Sequence, residues 1–236
     1  MSLPPQRILV FRSGCLGDHL VALPAYWALR EAFPQAHITL MSEEPLDPNH
    51  VTPPQFVPQQ VLFDAFSNYP TARRGRSPWM TLKFAWSLRQ GHYDLLVYLG
   101  ERQRTHPAIV ARDLRFFRLT GLGKVIGHRG GEALPAEYDG RDLRIVSNET
   151  ENLLARLIAD GVTPPRRGND WLALTEGEHF RAKTWLQKEG ITSRDRSRCL
   201  AIGVGGKFPS KIWPEERFAE VGRNLIQQYD ILPIIF

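Results

Sequence analysis

The most constraining feature is the order of elements in the first forty residues. Arg7-Ile8-Leu9-Val10-Phe11-Arg12 is a short run of strand formers, and Ser13-Gly14-Cys15-Leu16-Gly17-Asp18 after it reads as a turn. A helical stretch follows, with Val21, Ala25, Ala28 and Ala32 at 4-3-4 spacing and Leu20, Leu23 and Trp27 beside them. Pro24 starts or kinks that helix, and Phe33-Pro34 ends it. His37-Ile38-Thr39-Leu40-Met41 is a second strand. Strand, tight turn, helix and strand make a βαβ unit, the seed of a parallel sheet. A parallel sheet needs helices on both faces, so the rest of the chain has to supply them.

It does so at regular intervals. Helices are predicted at 79–89, 107–119 and 149–159, a buried strand at 94–99 and a short strand at 124–127. Val61-Leu62-Phe63 reads as a further strand after a stretch crowded by Pro45, Pro48, Pro53, Pro54 and Pro58. Residues 162–169, Val-Thr-Pro-Pro-Arg-Arg-Gly-Asn, read as a linker. The α/β rhythm then resumes with 171–174, a helix at 176–188, a strand at 200–204, a helix at 214–228 and a strand at 232–236. The expected domains are 1–165 and 170–236. The second is too short for an independent core, which points to a piece of a longer two-domain protein.

Composition removes several classes. No apolar run approaches the ~20 residues of a membrane span. Cys15 and Cys199 are the only thiols, a usage that favours a reducing compartment over a disulfide framework. The seven histidines show no metal-ligand spacing. The net charge of +5 leans toward anionic partners, although a plain solubility charge reads equally well. No zinc-spaced or aromatic-interleaved pattern supports nucleic acid. The turn after the first strand lacks G-x-G-x-x-G, which argues against a nicotinamide cofactor.

Three places could carry chemistry. At the first strand-to-helix turn, Asp18 reads either as a helix cap or as a carboxylate base facing a cleft. His19 is a second candidate base, though a surface imidazole is the commoner outcome. Cys15 lacks any indicated partner for nucleophilic work. The second place follows the strand at 200–204. Gly205 and Gly206 free the backbone, and Lys207 and Lys211 stand near the start of a helix opened by Pro214, where the dipole disfavours cations. A bound phosphate would resolve that conflict. The third is the basic run Arg73, Arg74 and Arg76, next to Trp79, which is either solvated surface or a clamp on an acidic substrate.

These residues resemble a known family. The segment 7–12, Gly17-Asp18, Leu23-Pro24-Ala25 and Leu29 to Ile38 resemble the opening of the bacterial ADP-heptose:lipopolysaccharide heptosyltransferases, glycosyltransferase family nine. Gly205-Gly206 followed by Lys211-Ile212-Trp213-Pro214-Glu215-Glu216-Arg217-Phe218-Ala219 resembles that family's second-domain phosphate loop. The resemblance implies a GT-B fold of two Rossmann-like domains with parallel sheets, the second incomplete here. It implies metal-independent, inverting transfer of a sugar, with no cofactor, from a nucleotide sugar such as ADP-heptose to an acidic glycolipid. In that scheme Asp18 is the general base, and Gly205, Gly206, Lys207 and Lys211 hold the donor diphosphate. Arg73, Arg74 and Arg76 hold the acceptor. A cytoplasmic enzyme in peripheral contact with the inner membrane is implied too. The rival reading is a non-catalytic α/β module that binds a polyanion.

Overall fold

Strand direction and side-chain alternation together build the first of two compact units. The computed structural model describes residues 4–45, 51–57, 61–70, 77–100, 106–129, 148–167, 170–192, 194–205 and 212–235. The chain divides into Met1–Ala173 and Leu174–Phe236.

In the first unit the elements run β1 (Arg7–Phe11), α1 (Leu16–Leu20), α2 (Leu23–Ala32), β2 (His37–Glu43), β3 (Ala65–Tyr69), α3 (Pro78–Gln90), β4 (Leu95–Tyr98), α4 (Pro107–Leu119), β5 (Val125–Ile126) and α5 (Glu149–Ala159). The five strands are all parallel and stand in the order β3-β2-β1-β4-β5. β1 is central, with Ile8 opposite both Ile38 and Leu95.

Alternation divides β1 between two cores. Ile8 and Val10 join Ile38, Leu40, Leu95 and Val97 under α2 and α5, around Tyr26, Leu29, Leu153 and Leu157. Leu9 and Phe11 join Met41, Leu96 and Tyr98 on the other face, under Leu88 of α3 and Leu114 and Phe117 of α4. The faces follow from handedness. Right-handed crossovers that step from β1 to β2 and from β3 back to β4 travel in opposite directions, so their helices land on opposite sides. The reversal lies between β1 and β4. The carboxyl ends of the strands at such a reversal form the crevice where open α/β sheets bind ligands.

Three local expectations change. Of the apolar triplet at 61–63, Val61 and Leu62 form a turn and Phe63 a single bridge, and the strand lies just beyond, at Ala65–Tyr69. Leu62 and Phe63 are apolar because they sit in the core beneath α2, at 0% and 2% exposure. The turn at 13–18 also holds a short helix, α1, and the break at residues 21–22 separates it from α2. Residues 171–173 form no strand. They pack on α2, where the Trp27 indole N–H donates to Trp171 O at 2.8 Å and Arg167 stacks over the Trp27 ring at 3.8 Å. These contacts carry the first unit past residue 165.

The second unit holds α6 (Glu176–Lys188), β6 (Cys199–Ile202), α7 (Glu215–Tyr229) and β7 (Leu232–Ile235). β6 and β7 pair in parallel, Cys199 opposite Leu232, with α7 as the crossover. Neither helix of this unit contains a fully buried residue. Ile235 remains 68% exposed and Phe180 70%.

Candidate active site

At the carboxyl end of β1 the chain must turn sharply into α1. Gly14 makes this possible with φ +112°, a conformation that L side chains rarely adopt. It also makes room. A Cβ on residue 14 would lie 2.5 Å from the Cβ, Cγ and Oδ2 of Asp18. The Asp18 carboxylate therefore occupies the space that a side chain at 14 would fill. Its Oδ2 accepts the backbone N–H of Cys15 at 2.7 Å, the reach-back of a third helical residue to its cap. Oδ1 has no partner among the described residues, and the side chain is half-buried. The helix-cap reading of Asp18 is thus seen in one of its oxygens, Oδ2.

The backbone of Asp18 is held as firmly. Arg12, the residue after β1, is 0% exposed. Its Nε and Nη2 donate to Asp18 O at 3.3 and 3.1 Å. Its Nη1 donates to Leu99 O at 3.0 Å, just past the end of β4, and to the Glu149 carboxylate at 3.1 Å, in the first turn of α5. A second buried arginine, Arg156, donates to Tyr98 O at 2.8 Å, Gly100 O at 3.2 Å and Gly127 O at 2.7 Å. Burial, reinforced by the like charge of Arg12 and opposed by Glu149 and Tyr98, brings its pKa down to about 10. Guanidinium groups thus tie the ends of β1, β4 and β5 in addition to the backbone bonds Leu99 N to Phe11 O and Arg12 N to Met41 O.

Sequence reading missed both arginines. The signal was present for Arg156, a charged residue inside the apolar stripe of α5 between Leu153 and Leu157. It was weaker for Arg12, which looks like the end of an apolar strand.

His19 is buried at 1% instead of lying on the helix surface. Its Nδ1 meets the Tyr26 hydroxyl at 2.8 Å. Burial holds the Tyr26 phenol well above its ordinary pKa; nearby Arg12 opposes this and Asp18 adds to it. Cys15 is exposed at the N-cap of α1.

Of the expected phosphate loop, Gly205 is described, with open space where a Cβ would go. Gly206, Lys207 and Lys211 lie outside the described residues, as do Arg73, Arg74 and Arg76. Beside the loop, Val204, Ile212, Trp213, Pro214, Glu215 and Phe218 line an open cavity of about 450 Å³ at the start of α7. Trp213 stands edge-on to Phe218 at 5.2 Å. Glu215 and Glu216 already complement the helix dipole, so an anion here would depend on the loop's lysines and backbone amides.

On α3, Trp79, Leu82 and Trp86 form one exposed stripe at i, i+3 and i+7, at 72%, 61% and 62% exposure, with Lys83 and Arg89 exposed on the same helix. Among the described residues no helix is long and apolar enough to cross a membrane.

Two solved structures are similar to this chain in fold. The chain is similar to a family 9 glycosyl transferase from Veillonella parvula, at 22% identity and TM-score 0.60, over 100% of this chain and 64% of that one. It is similar to Escherichia coli ADP-heptose lps heptosyltransferase II, at 19% identity and TM-score 0.54, over 98% of this chain and 64% of that one. The fold is GT-B-like. This GT-B-like chain spans a little under two thirds of the length of either structure. No protein-family model matches it, and no curated protein does.

Proposed function

We propose that the chain belongs to an inverting glycosyltransferase that moves a sugar, heptose, from a nucleotide-diphosphate donor such as ADP-heptose to a lipopolysaccharide-type acceptor. One observation carries this reading: in a fold shared with glycosyltransferases, a carboxylate is anchored through one oxygen at the carboxyl end of the central strand, beside the strand-order reversal. In the proposed reaction Asp18 Oδ1 takes the proton of the acceptor hydroxyl. The oxygen attacks the anomeric carbon from the face opposite the diphosphate, the carbon–phosphate-oxygen bond breaks, and the configuration inverts. The departing diphosphate takes up the electron pair. Gly205, Gly206, Lys207 and Lys211 would receive its charge, since preorganised N–H groups and a cation stabilise charge that grows in the transition state.

Arg73, Arg74 and Arg76 would hold the acidic acceptor. The exposed tryptophans and lysine of α3 support peripheral contact with a membrane that carries such an acceptor, at the inner face in the cytoplasm. The test is release of ADP from ADP-heptose. The reading predicts release that depends on an added lipopolysaccharide-core acceptor, with a product anomer opposite to the donor's by NMR. Acceptor-independent release, retained configuration or no release would each overturn it.

A further inference from the structure

α1 has only five residues, too few to hold its own geometry by helical bonding. Asp18 O is withdrawn from the helical ladder: Ala22 N, which would reach it in a continuous helix, donates instead to His19 O at 3.1 Å. Arg12 takes the freed carbonyl through two nitrogens. Beside it, Thr150 Oγ1 of α5 donates to Val21 O at 2.8 Å and closes the end of α1. Two adjacent residues of α5, Glu149 through Arg12 and Thr150 directly, therefore clamp the helix that bears Asp18. α5 comes more than a hundred residues later in the chain, so the clamp is a tertiary device.

A guanidinium suits this task because its donors diverge in one plane and reach three acceptor groups at once. A lysine ammonium at the same depth cannot span Asp18 O, Leu99 O and Glu149 together. We propose that Arg12, held by Glu149, is the positioning residue for Asp18: it sets the α1 backbone so that the carboxylate keeps one oxygen on Cys15 N and presents the other. Its chemical value rests on the reading of Asp18 as the base.

The experiment compares amide hydrogen exchange in the full chain for wild type, Arg12→Lys and Glu149→Gln. Arg12→Lys is expected to speed exchange at Cys15, His19, Val21 and Ala22 at least tenfold, with Leu9 and Leu96 in the sheet unchanged. Glu149→Gln, which leaves the guanidinium in place, is expected to move the same amides by a smaller factor and covers failure of Arg12→Lys to fold. Unchanged α1 amides, or equal acceleration of the sheet, would overturn the proposal. Turnover then separates the two readings. Arg12→Lys is expected to lower kcat about tenfold or more at constant donor KM when Asp18 is present, and to change nothing further in Asp18→Asn. A further drop in that background overturns the positioning role. An unchanged rate in Asp18→Asn alone overturns the base reading and leaves the exchange result to decide the clamp.

Discussion

Arg12 and Asp18 are joined through the backbone and not through their charges: two of the three guanidinium nitrogens, at 3.3 and 3.1 Å, point at the Asp18 carbonyl, while the carboxylate accepts the amide of Cys15. An arginine that paired with the carboxylate itself would stabilise its anion and weaken it as a base. Here the cation is spent on geometry, and its charge is balanced by Glu149 at 3.1 Å.

Gly14→Ala tests the space beside the carboxylate. The new methyl would meet three atoms of Asp18 at 2.5 Å in a backbone conformation that alanine avoids. The substitution is expected to cost about 1–3 kcal/mol in stability and to lower transfer more than thermal denaturation explains. Denaturant unfolding alongside turnover measures both.

Arg156→Met removes the donors from three carbonyls, those of Tyr98 at the end of β4 and of Gly100 and Gly127 beyond the strands. Each orphaned buried acceptor costs about 1–3 kcal/mol, offset in part because no buried charge remains to be desolvated. A net loss of about 2–4 kcal/mol is expected in urea unfolding; a stable variant would show that the carbonyls find other partners.

Asp64 gives the fold an acid limit. Burial works against its ionisation, but the Ile38 N–H and the Arg30 guanidinium, both at 2.7 Å, outweigh it and hold its pKa below the ordinary 3.8. A carboxylate with a depressed folded pKa contributes stability that is full above the unfolded value and is lost as pH falls through the folded one. Wild type is therefore expected to lose stability below about pH 4 more steeply than Asp64→Ala. The comparison is a pair of urea midpoints at pH 6 and pH 3, where parallel losses would exclude Asp64.

The α3 stripe predicts a lipid contact. Replacing Trp79 and Trp86 by serine is expected to weaken sedimentation with anionic phospholipid vesicles roughly tenfold or more, since about 1.4 kcal/mol already corresponds to that factor. Equal sedimentation would remove α3 from the membrane side.

Elements whose pattern reports one buried face were legible in the sequence. β1 after Arg7 and β4 are apolar runs, β2 is centred on Ile38, Leu40 and Met41, and α5 carries an apolar stripe under Asn148, whose side chain accepts Glu151 N at 2.9 Å. β3 was not legible. Ala65-Phe66-Ser67-Asn68-Tyr69 lies at the edge of the sheet and is only partly buried, so its pattern is weaker than that of Leu62 and Phe63, which are core residues just before the strand. At the site, Asp18 and the glycine turn could be seen because local geometry demands those residue types. The clamp could not, because Arg12, Leu99 and Glu149 meet only when the sheet has formed. His19 was misjudged for the same reason: its neighbour Tyr26 lies one helix away, across the α1–α2 break.

The central claim is that the free oxygen of Asp18 removes the acceptor's proton. Asp18→Asn keeps the shape and forfeits the base, so the most direct measurement is its rate of acceptor-dependent ADP release beside wild type, with near-equal melting temperatures as the control. A carboxylate base is worth about 10²–10⁴-fold, and a fall of that size is the result predicted. A variant that transfers sugar at the wild-type rate would contradict the account.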